Sequence, residues 1–343
     1  MKIFLYIFII LLFSTVGLRA QHPATSENNG LVKWLTFNEA LELNKTKPKP
    51  FIIDIYTDWC GWCKKMIQTT YSNPQIATFI NSNFYPVKFN AETKDTIEYQ
   101  GKKYVNNRTG RRPPHELAVE LLGGKLSYPS TVFLNNDFQF RLISSGYLDI
   151  RKIEPMLVFT LENIYLTTQF EEFKEYYTKA FYDSSFSDTA SVHWYSIDEA
   201  MDLAAKEPKK VLVFIYTEWC VGCKIMYRTS YMHPVVAGYI NENYYPVRID
   251  AVIKDTIEFG GQTFVNNEND GPFHQFAIAL LKNKVTLPSM VFLNNNYEMI
   301  TSVPRYMTPE ALEPVLHFFC EDKYKTDKWE EYRSSFVGEI KNQ

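Results

Sequence analysis

Two cysteine pairs carry the most specific chemistry in this sequence. Each has the spacing Cys-x-x-Cys: Cys60 with Cys63 in the first half, and Cys220 with Cys223 in the second. An apolar run and a tryptophan precede each pair, which predicts a first sulfur at the start of a helix, beside unpaired backbone N–H groups that favour the thiolate. The second sulfur follows one turn later, close enough to form a disulfide and to resolve a mixed disulfide with a substrate. The pattern predicts thiol:disulfide exchange.

These cysteines and three further candidate residues are also compatible with purely structural roles. A pair could be a static disulfide or half of a zinc site; zinc pairs usually lie on Gly-rich turns, so we expect neither a metal nor another cofactor. A static disulfide stays open, chiefly for the second pair. Cys320 falls on the apolar side of a predicted helix, which is typical of a buried small side chain. His115 and His274 are expected to be ordinary helix-start residues rather than catalytic bases.

The two pairs belong to an internal repeat. Cys220 follows Cys60 by 160 residues, and the segment Tyr-Thr-Asp-Trp-Cys of the first half recurs as Tyr-Thr-Glu-Trp-Cys in the second. The similarity continues along nearly the whole chain, with one residue deleted in the second copy. We therefore predict two homologous domains, over residues 21–182 and 191–343, joined by a Ser- and Asp-rich linker at 183–190.

Within one copy, helical patterns alternate with short apolar strands. The strands of the first copy are predicted at 51–56, 85–89, 131–134 and 139–143, with a hairpin between 97 and 105. The helices are predicted at 60–71, from 74, at 115–122 and, as one long terminal helix, from about 149. The terminal stretches of the two copies, 170–176 and 329–332, mix aromatic and acidic residues at helical spacing, and each is expected to be a helix that packs on its own domain rather than a docking site for a partner. The pattern favours an α/β fold in each domain, a central mixed sheet flanked by helices.

The segment Asp54-Ile-Tyr-Thr-Asp-Trp-Cys-Gly-Trp-Cys63 resembles the active-site segment of the thioredoxin superfamily. Its continuation, Tyr71-Ser-Asn-Pro-Gln75, is similar to the periplasmic C-terminal domain of the membrane thiol:disulfide interchange protein. Pro129 and Pro288, each followed by serine and a short apolar run, match the cis-proline loop of the family. The resemblance covers both copies apart from their hairpins and terminal tails, and it implies two tandem thioredoxin-like domains.

The resemblance also implies roles for individual residues. Asp54 matches the buried acid of the family, whose carboxyl could exchange a proton with Cys63, and Lys88 matches the lysine beside that acid. A cis-proline that faces the disulfide leaves a backbone edge to which an extended substrate can hydrogen-bond. The residues expected to contact substrate are the two prolines and the tryptophans before the pairs: Pro129, Pro288, Trp59 and Trp219.

The second copy departs from this pattern at the acid. Phe214 and Arg248 stand where the first copy has Asp54 and Lys88. The second pair therefore lacks the implied proton relay, and we predict that its exchange is slower near neutral pH. The residues between the cysteines, Gly-Trp and Val-Gly, match neither the proline of thioredoxins nor the histidine of oxidising relatives, so they leave the redox direction open.

The first twenty residues predict export. Lys2 is followed by an apolar run over 3–13 and then by small residues up to Ala20, which is typical of a secretory signal peptide. The run is short for a bilayer span, so no stable membrane insertion is expected after cleavage, and the location is periplasmic or secreted. With 36 basic and 39 acidic residues, the chain has no large basic field, so nucleic acid is not an expected partner.

Together these features predict a thiol:disulfide oxidoreductase that acts on the thiols and disulfides of exported proteins. Cys60 and Cys220 would attack, and Cys63 and Cys223 would resolve. The resemblance to the interchange protein favours a reductase that receives electrons from a membrane thiol:disulfide donor. A disulfide oxidase or isomerase is the alternative within the same chemistry. A peptide-binding adaptor or chaperone without turnover is the alternative from a different class.

Overall fold

The computed structural model describes residues 30–107, 109–183, 190–267, 271–294 and 296–340. The predicted signal peptide and nearly all of the predicted linker lie outside these residues. Within the described ranges, no helix combines the length and the apolar character needed to cross a membrane.

The first half contains a four-stranded mixed sheet in the order β2-β1-β5-β6. Its strands are β1 (Phe51–Tyr56), β2 (Tyr85–Asn90), β5 (Ser130–Leu134) and β6 (Arg141–Ser145), and β3 (Ile97–Tyr99) with β4 (Lys102–Tyr104) forms a separate hairpin. β1 runs parallel to β2 and antiparallel to β5. Because β1 lies inside the sheet and is covered on both faces, nearly all of its side chains are buried and apolar.

Helices cover both faces of this sheet. They are α1 (Phe37–Thr46), α2 (Gly61–Gln68), α3 (Pro74–Asn83), α4 (Glu116–Leu121) and α5 (Ile150–Leu161). The last helix of the first half, α6 (Phe170–Tyr182), packs on α5. Apolar residues of α1 and α4 pack in one core cluster, and those of α2, α3 and α5 pack in another on the opposite face. The first redox pair lies at the start of α2, directly after the buried strand β1.

The second half repeats this architecture, with the sheet order β12-β11-β7-β8. Its strands are β7 (Lys210–Tyr216), β8 (Tyr244–Asp250), β9 (Ile257–Phe259), β10 (Gln262–Phe264), β11 (Ser289–Leu293) and β12 (Met299–Val303). Its helices are α7 (Ile197–Lys206), α8 (Val221–Met226), α9 (Pro234–Asn243), α10 (Gln275–Leu280), α11 (Pro309–Cys320) and α12 (Trp329–Ser335). A π-helical turn, Tyr227–Tyr231, continues α8. The predicted fold class, two mixed sheets flanked by helices, is confirmed.

Two elements differ from the sequence prediction. The first is α1, which was not predicted, although Thr36 and Glu39 form a capping box at its start. The second is the long terminal helix, which is wrong as a single element. It ends at Leu161, because Asn163 adopts a left-handed conformation with φ of 55°, and a 3-10 turn then leads into α6.

Helix α6 packs on the second half of the chain as well as on α5. Phe173 and Tyr177 belong to the core cluster that contains Phe214 of β7. The Phe173 ring meets that of Tyr306 edge to face, with centroids 5.6 Å apart, and the Tyr176 hydroxyl donates to a carboxylate oxygen of Glu310 at 2.7 Å. The expectation that this tail packs on its own domain is therefore incomplete for α6, which packs on α5 and also forms part of the core around the second redox pair.

Candidate active sites

Both predicted cysteine pairs are disulfides at the starts of helices. Cys60 is the N-cap of α2, and its Sγ accepts a hydrogen bond from the backbone N–H of Cys63 at 3.1 Å. Cys220 caps α8 in the same way, with Cys223 as the donor at 3.1 Å. When a disulfide in this position is reduced, the N–H groups and the helix dipole stabilise a thiolate on the first sulfur. The geometry suits an attacking cysteine in the first half, and it places the first sulfur of the second pair in the equivalent position.

Asp54 lies in the centre of the first sheet, with 1% of its surface exposed. Burial raises the pKa of its carboxyl to about 6, and the positive charge of Lys88 opposes that rise. Lys88 is its register partner on β2. One Asp54 oxygen has no hydrogen-bond partner among the described residues. A carboxyl with this pKa can take up and release a proton near neutral pH, so proton transfer to Cys63 stays a prediction with a suitable group in place.

Exposed aromatic rings border the first pair. Trp59 and Trp62 are 51% and 61% exposed. The Trp59 indole N–H donates to Glu92 at 2.9 Å, and its ring meets that of Tyr128 edge to face at 6.0 Å. Trp62 packs against Tyr147, with centroids 5.7 Å apart. These side chains form a fixed, accessible apolar rim beside Cys60, of the kind that large aromatic residues provide for peptide contacts.

The peptide bonds Tyr128–Pro129 and Leu287–Pro288 are both cis, as the resemblance implies. Pro129 precedes β5, which pairs directly with β1, the strand that leads to the first cysteine pair. Leu287 lines a cleft together with Trp219 and Cys220. The prolines thus lie on loops adjacent to the disulfides, and their contact with substrate stays a prediction.

The strand position of the buried acid is apolar in the second half, as the sequence indicates. Phe214 is buried in β7, and its register partner is Arg248 of β8. The Arg248 guanidinium lies over the rings of Tyr216 and Tyr227, 4.1 and 4.6 Å from their centroids. No carboxyl reaches the second pair from this strand position.

A carboxyl reaches the second pair from the first half instead. Glu162 follows the last residue of α5, and its Oε1 and Oε2 accept hydrogen bonds from the backbone N–H groups of Val221 and Gly222 at 3.0 and 2.7 Å. Oε2 lies 3.9 Å from Cys220 Sγ. Burial of the Glu162 carboxyl raises its pKa to about 7, and the hydrogen bonds from the two backbone N–H groups oppose the rise.

Sequence reasoning missed Glu162 because it compared each position with its repeat equivalent. One signal was available at position 222, where the second copy has glycine and the first has Trp62. A Cβ on Gly222 would overlap Glu162 Oε2. A glycine here lets the carboxylate approach the backbone of the helix start.

The remaining candidates have structural roles. His115 and His274 are fully buried N-caps, and the Nδ1 atom of each accepts a backbone N–H from two residues on, at 3.1 Å. Cys320 is half-buried, and burial raises the pKa of its thiol. A raised pKa leaves less of the reactive thiolate. Among the residues that the structure describes, no cluster of three histidines, cysteines or acids could hold a metal ion.

Two family models match the chain, one in each half. Residues 24–175 match Thioredox_DsbH, a protein of unknown function, DUF255. Residues 193–294 match Thioredoxin_7, described as thioredoxin-like. The first match contains the whole first mixed sheet, and the second contains three of the four strands of the second sheet, without β12. Each match contains one Cys-x-x-Cys helix start.

Solved structures of the same fold class resemble parts of the chain. A DsbH oxidoreductase is 16% identical, over 38% of this chain and 86% of its own, with a TM-score of 0.30. The reduced C-terminal domain of Neisseria meningitidis DsbD is 18% identical, over 36% and 92%, with a TM-score of 0.26. A putative disulphide-isomerase from Bacteroides thetaiotaomicron is 19% identical, over 40% and 96%, with a TM-score of 0.28. A comparison with curated proteins found no match.

The fold and the two cysteine sites define a thioredoxin-fold protein equipped for thiol:disulfide exchange. The chain belongs to the thioredoxin superfamily, with one thioredoxin-like domain in each half. This assignment rests on the two family models and the two sheets.

Proposed function

We propose that the protein is an exported protein-disulfide reductase whose principal site is the first pair. The observation that carries this proposal is that three features suited to thiol:disulfide exchange lie together at the first pair. Cys60 lies at a helix start, an exposed aromatic rim borders it, and a buried carboxyl with a pKa of about 6 lies on the preceding strand. These are an attacking sulfur, a surface for a peptide and a proton carrier.

In the proposed reaction, the reduced pair transfers its electrons to a substrate disulfide. The Cys60 thiolate attacks one substrate sulfur, the substrate S–S bond breaks, and a mixed disulfide forms while the other substrate sulfur leaves as a thiolate that takes up a proton. Cys63 then loses its proton to the Asp54 carboxylate and attacks Cys60 Sγ. The products are a reduced substrate and the Cys60–Cys63 disulfide.

The proposed setting follows from the start of the chain. A signal peptide over residues 1–20 would deliver the protein to the periplasm or the exterior, where exported proteins carry disulfides. A membrane thiol:disulfide donor would then reduce the pair again. We propose domain limits of 21–182 and 191–343.

The second pair is proposed to perform the same exchange, with Cys220 attacking and Cys223 resolving. A cleft of about 620 Å³ between the two halves leads to it, lined by Phe79 of α3 on one side and by Trp219 and Cys220 on the other. Because Cys220 lines this cleft, we expect the second pair to be more selective than the first.

Reduction of a protein disulfide by the purified chain tests the proposal. With a dithiol supplied, we expect turnover that falls to background when Cys60→Ser and Cys220→Ser are combined. The single variant Cys60→Ser should remove most of it. Full activity in the double variant would contradict the enzyme and favour the peptide-binding adaptor. The matched control is Cys320→Ser, which changes the cysteine outside both pairs.

The reduction potential of each pair separates a reductase from an oxidase or isomerase. For this two-electron couple a difference of about 30 mV corresponds to a tenfold change in the equilibrium constant. A reductase requires potentials below that of its substrate disulfides. Potentials above them would reverse the proposed direction and favour the oxidase.

A further inference from the structure

We propose that Glu162, supplied by the first domain, is a catalytic residue of the second pair, and that its carboxyl gives a proton to Cys220 and removes one from it during exchange. The inference rests on the proposed function, because it requires the second pair to turn over. The second domain lacks an acid equivalent to Asp54 within its own sheet, and Glu162 lies at the first cysteine of the pair rather than at the second.

The contacts of Glu162 place its charge where the thiolate would form. The N–H groups of Val221 and Gly222 donate to it at 3.0 and 2.7 Å, so the helix start is already occupied by a carboxylate. Cys220 Sγ lies 3.9 Å from Oε2. A negative charge at this distance disfavours a second one on the sulfur. Cys220 therefore leaves the disulfide more readily as a thiol, and the carboxyl that can protonate it is in contact with it.

The second repeat differs from the first at two positions near its cysteine pair, Gly222 and Phe214. Gly222 leaves the space that Glu162 Oε2 occupies, whereas the equivalent Trp62 is 61% exposed. Phe214 fills the strand position where the first domain has its buried acid. Strand β7 of the second domain therefore has no acid at the position of Asp54. The first domain instead supplies the acid Glu162, which lies next to Cys220 Sγ.

Few other ionisable groups face Glu162. Cys220 is the other ionisable residue among the described residues that line the cleft. The remaining lining residues on the facing elements are uncharged: Phe79, Asn83, Trp219, Phe273, Thr286 and Leu287. On α8 itself, Lys224 lines a different cavity, beside Cys223 and Arg248. Proton exchange at Cys220 is therefore expected to follow the Glu162 carboxyl.

The step balances when an external dithiol reduces the second pair. One dithiol thiolate attacks Cys220 Sγ, the bond to Cys223 breaks, and Cys223 takes up a proton. The other thiolate of the dithiol then attacks the dithiol sulfur that is bonded to Cys220. The dithiol leaves as a disulfide, and the electron pair of the broken bond stays on Cys220 Sγ. Protonated Glu162 gives this sulfur its proton. The two protons that the dithiol released to solvent replace those taken up by the protein.

The test uses the full chain with Cys60→Ser and Cys63→Ser, so that the second pair alone exchanges. Glu162→Gln keeps a hydrogen-bond acceptor and the side-chain size, but it carries neither the proton nor the charge. We expect the thiolate fraction of reduced Cys220 at pH 7, measured by alkylation with iodoacetamide, to rise about tenfold. This is the change that raising the pH by about one unit would otherwise produce. We also expect the pH-dependent step near neutrality to disappear from the rate of reduction by dithiothreitol.

Two further variants control the experiment. Glu321→Gln is the matched control, because Glu321 occupies the equivalent position after α11, where it contacts His317 at 2.8 Å; it should change neither measurement. Gly222→Ala keeps Glu162 but displaces its carboxylate from the helix start, so it should shift alkylation in the same direction as Glu162→Gln. It supplies the test if the glutamine variant does not fold.

The outcomes distinguish this inference from the proposed function. If the first pair exchanges normally and the pH profiles of the second pair coincide with and without Glu162, the role of Glu162 is overturned alone. If neither pair exchanges with dithiothreitol in any variant, the proposed function is overturned, and the role of Glu162 with it.

Discussion

Asp54 combines complete burial with a single nearby positive charge. Burial disfavours its charged form more strongly than Lys88 favours it, which explains why the pKa of Asp54 rises from 3.8 to about 6. A group whose pKa is higher in the folded state binds more protons there, so its ionisation lowers the stability of the fold. The acid therefore lowers stability at neutral pH, at the position where we propose that it accepts the proton of Cys63.

The first prediction concerns stability. As pH rises from 4 to 6, we expect the free energy of unfolding of the oxidised protein to fall by about 2 kcal/mol through Asp54. Above about pH 7 the loss levels off at about 3 kcal/mol relative to strongly acidic pH. Asp54→Asn should remove this fall and make the protein more stable at pH 7, measured by denaturant unfolding at both pH values. The exposed acid Asp58 supplies the control, Asp58→Asn, and a destabilised Asp54→Asn protein at pH 7 would contradict the argument.

The second prediction concerns the rate at the same residue. In a chain with Cys220→Ser and Cys223→Ser, Asp54→Asn should slow reduction of a protein disulfide roughly tenfold or more at pH 7, because the proton acceptor for Cys63 is lost. The wild-type rate should rise as pH increases through about 6, where the carboxyl with its raised pKa ionises. The variant should lack that rise. An unchanged pH profile in the variant would exclude Asp54 as the acceptor.

At the scale of elements, the repeat-equivalent helices α6 and α12 pack against different parts of the molecule. Phe173 of α6 is fully buried, between Phe159 of α5 and Tyr306 of the second domain, with ring centroids 5.5 and 5.6 Å away. The repeat-equivalent residue on α12, Tyr332, packs beside Phe318 of its own domain at 5.0 Å. The first tail is therefore an interdomain element, and the second covers its own domain.

The third prediction follows from this difference. Phe173→Ala should lower the free energy of unfolding by about 3–5 kcal/mol, the usual cost of removing a large buried ring. It should also speed alkylation of reduced Cys220, because α6 packs against α8. Denaturant unfolding and timed labelling measure the two effects. Tyr332→Ala is the matched control, with a smaller loss of stability and no change at Cys220; equal effects of the two variants would contradict the interdomain role of α6.

For the whole molecule, the tandem arrangement makes two similar sites unequal. The first pair is bordered by two exposed tryptophans, Trp59 and Trp62, and the second by one, Trp219. The second lies in a cleft between the domains, with Glu162 against its first sulfur. Cys-x-x-Cys chemistry depends on access to the first sulfur as well as on its charge. The two pairs are therefore expected to differ most toward large partners.

The fourth prediction tests this inequality in two full-length chains, each with one pair replaced by serines. A protein dithiol should reduce the first pair at least about tenfold faster than the second, since a large partner cannot follow Cys220 into the cleft. A small dithiol should show a smaller difference, because it can enter. Stopped-flow measurement of both rates gives the ratio for each reductant. The same ratio for small and large dithiols would rule out access as the cause.

The sequence by itself determined the features that local pattern and repetition encode. The cysteine spacing predicted the helix starts, apolar runs predicted β1 and β7, and Asn73-Pro74 predicted the start of α3. Each of these depends on neighbours within a few residues. The buried acid Asp54 was predictable because it lies in an apolar strand beside a recognisable motif.

The tertiary structure alone decided which parts of one repeat serve the other. Glu162 and Phe173 act on the second domain through packing between segments more than 40 residues apart in sequence. Comparison of the repeats assigned them to the first domain, because equivalent positions suggest equivalent surroundings. A chain with two copies in series has one internal interface, so equivalent residues meet different neighbours, and that interface places a carboxyl at the second redox pair.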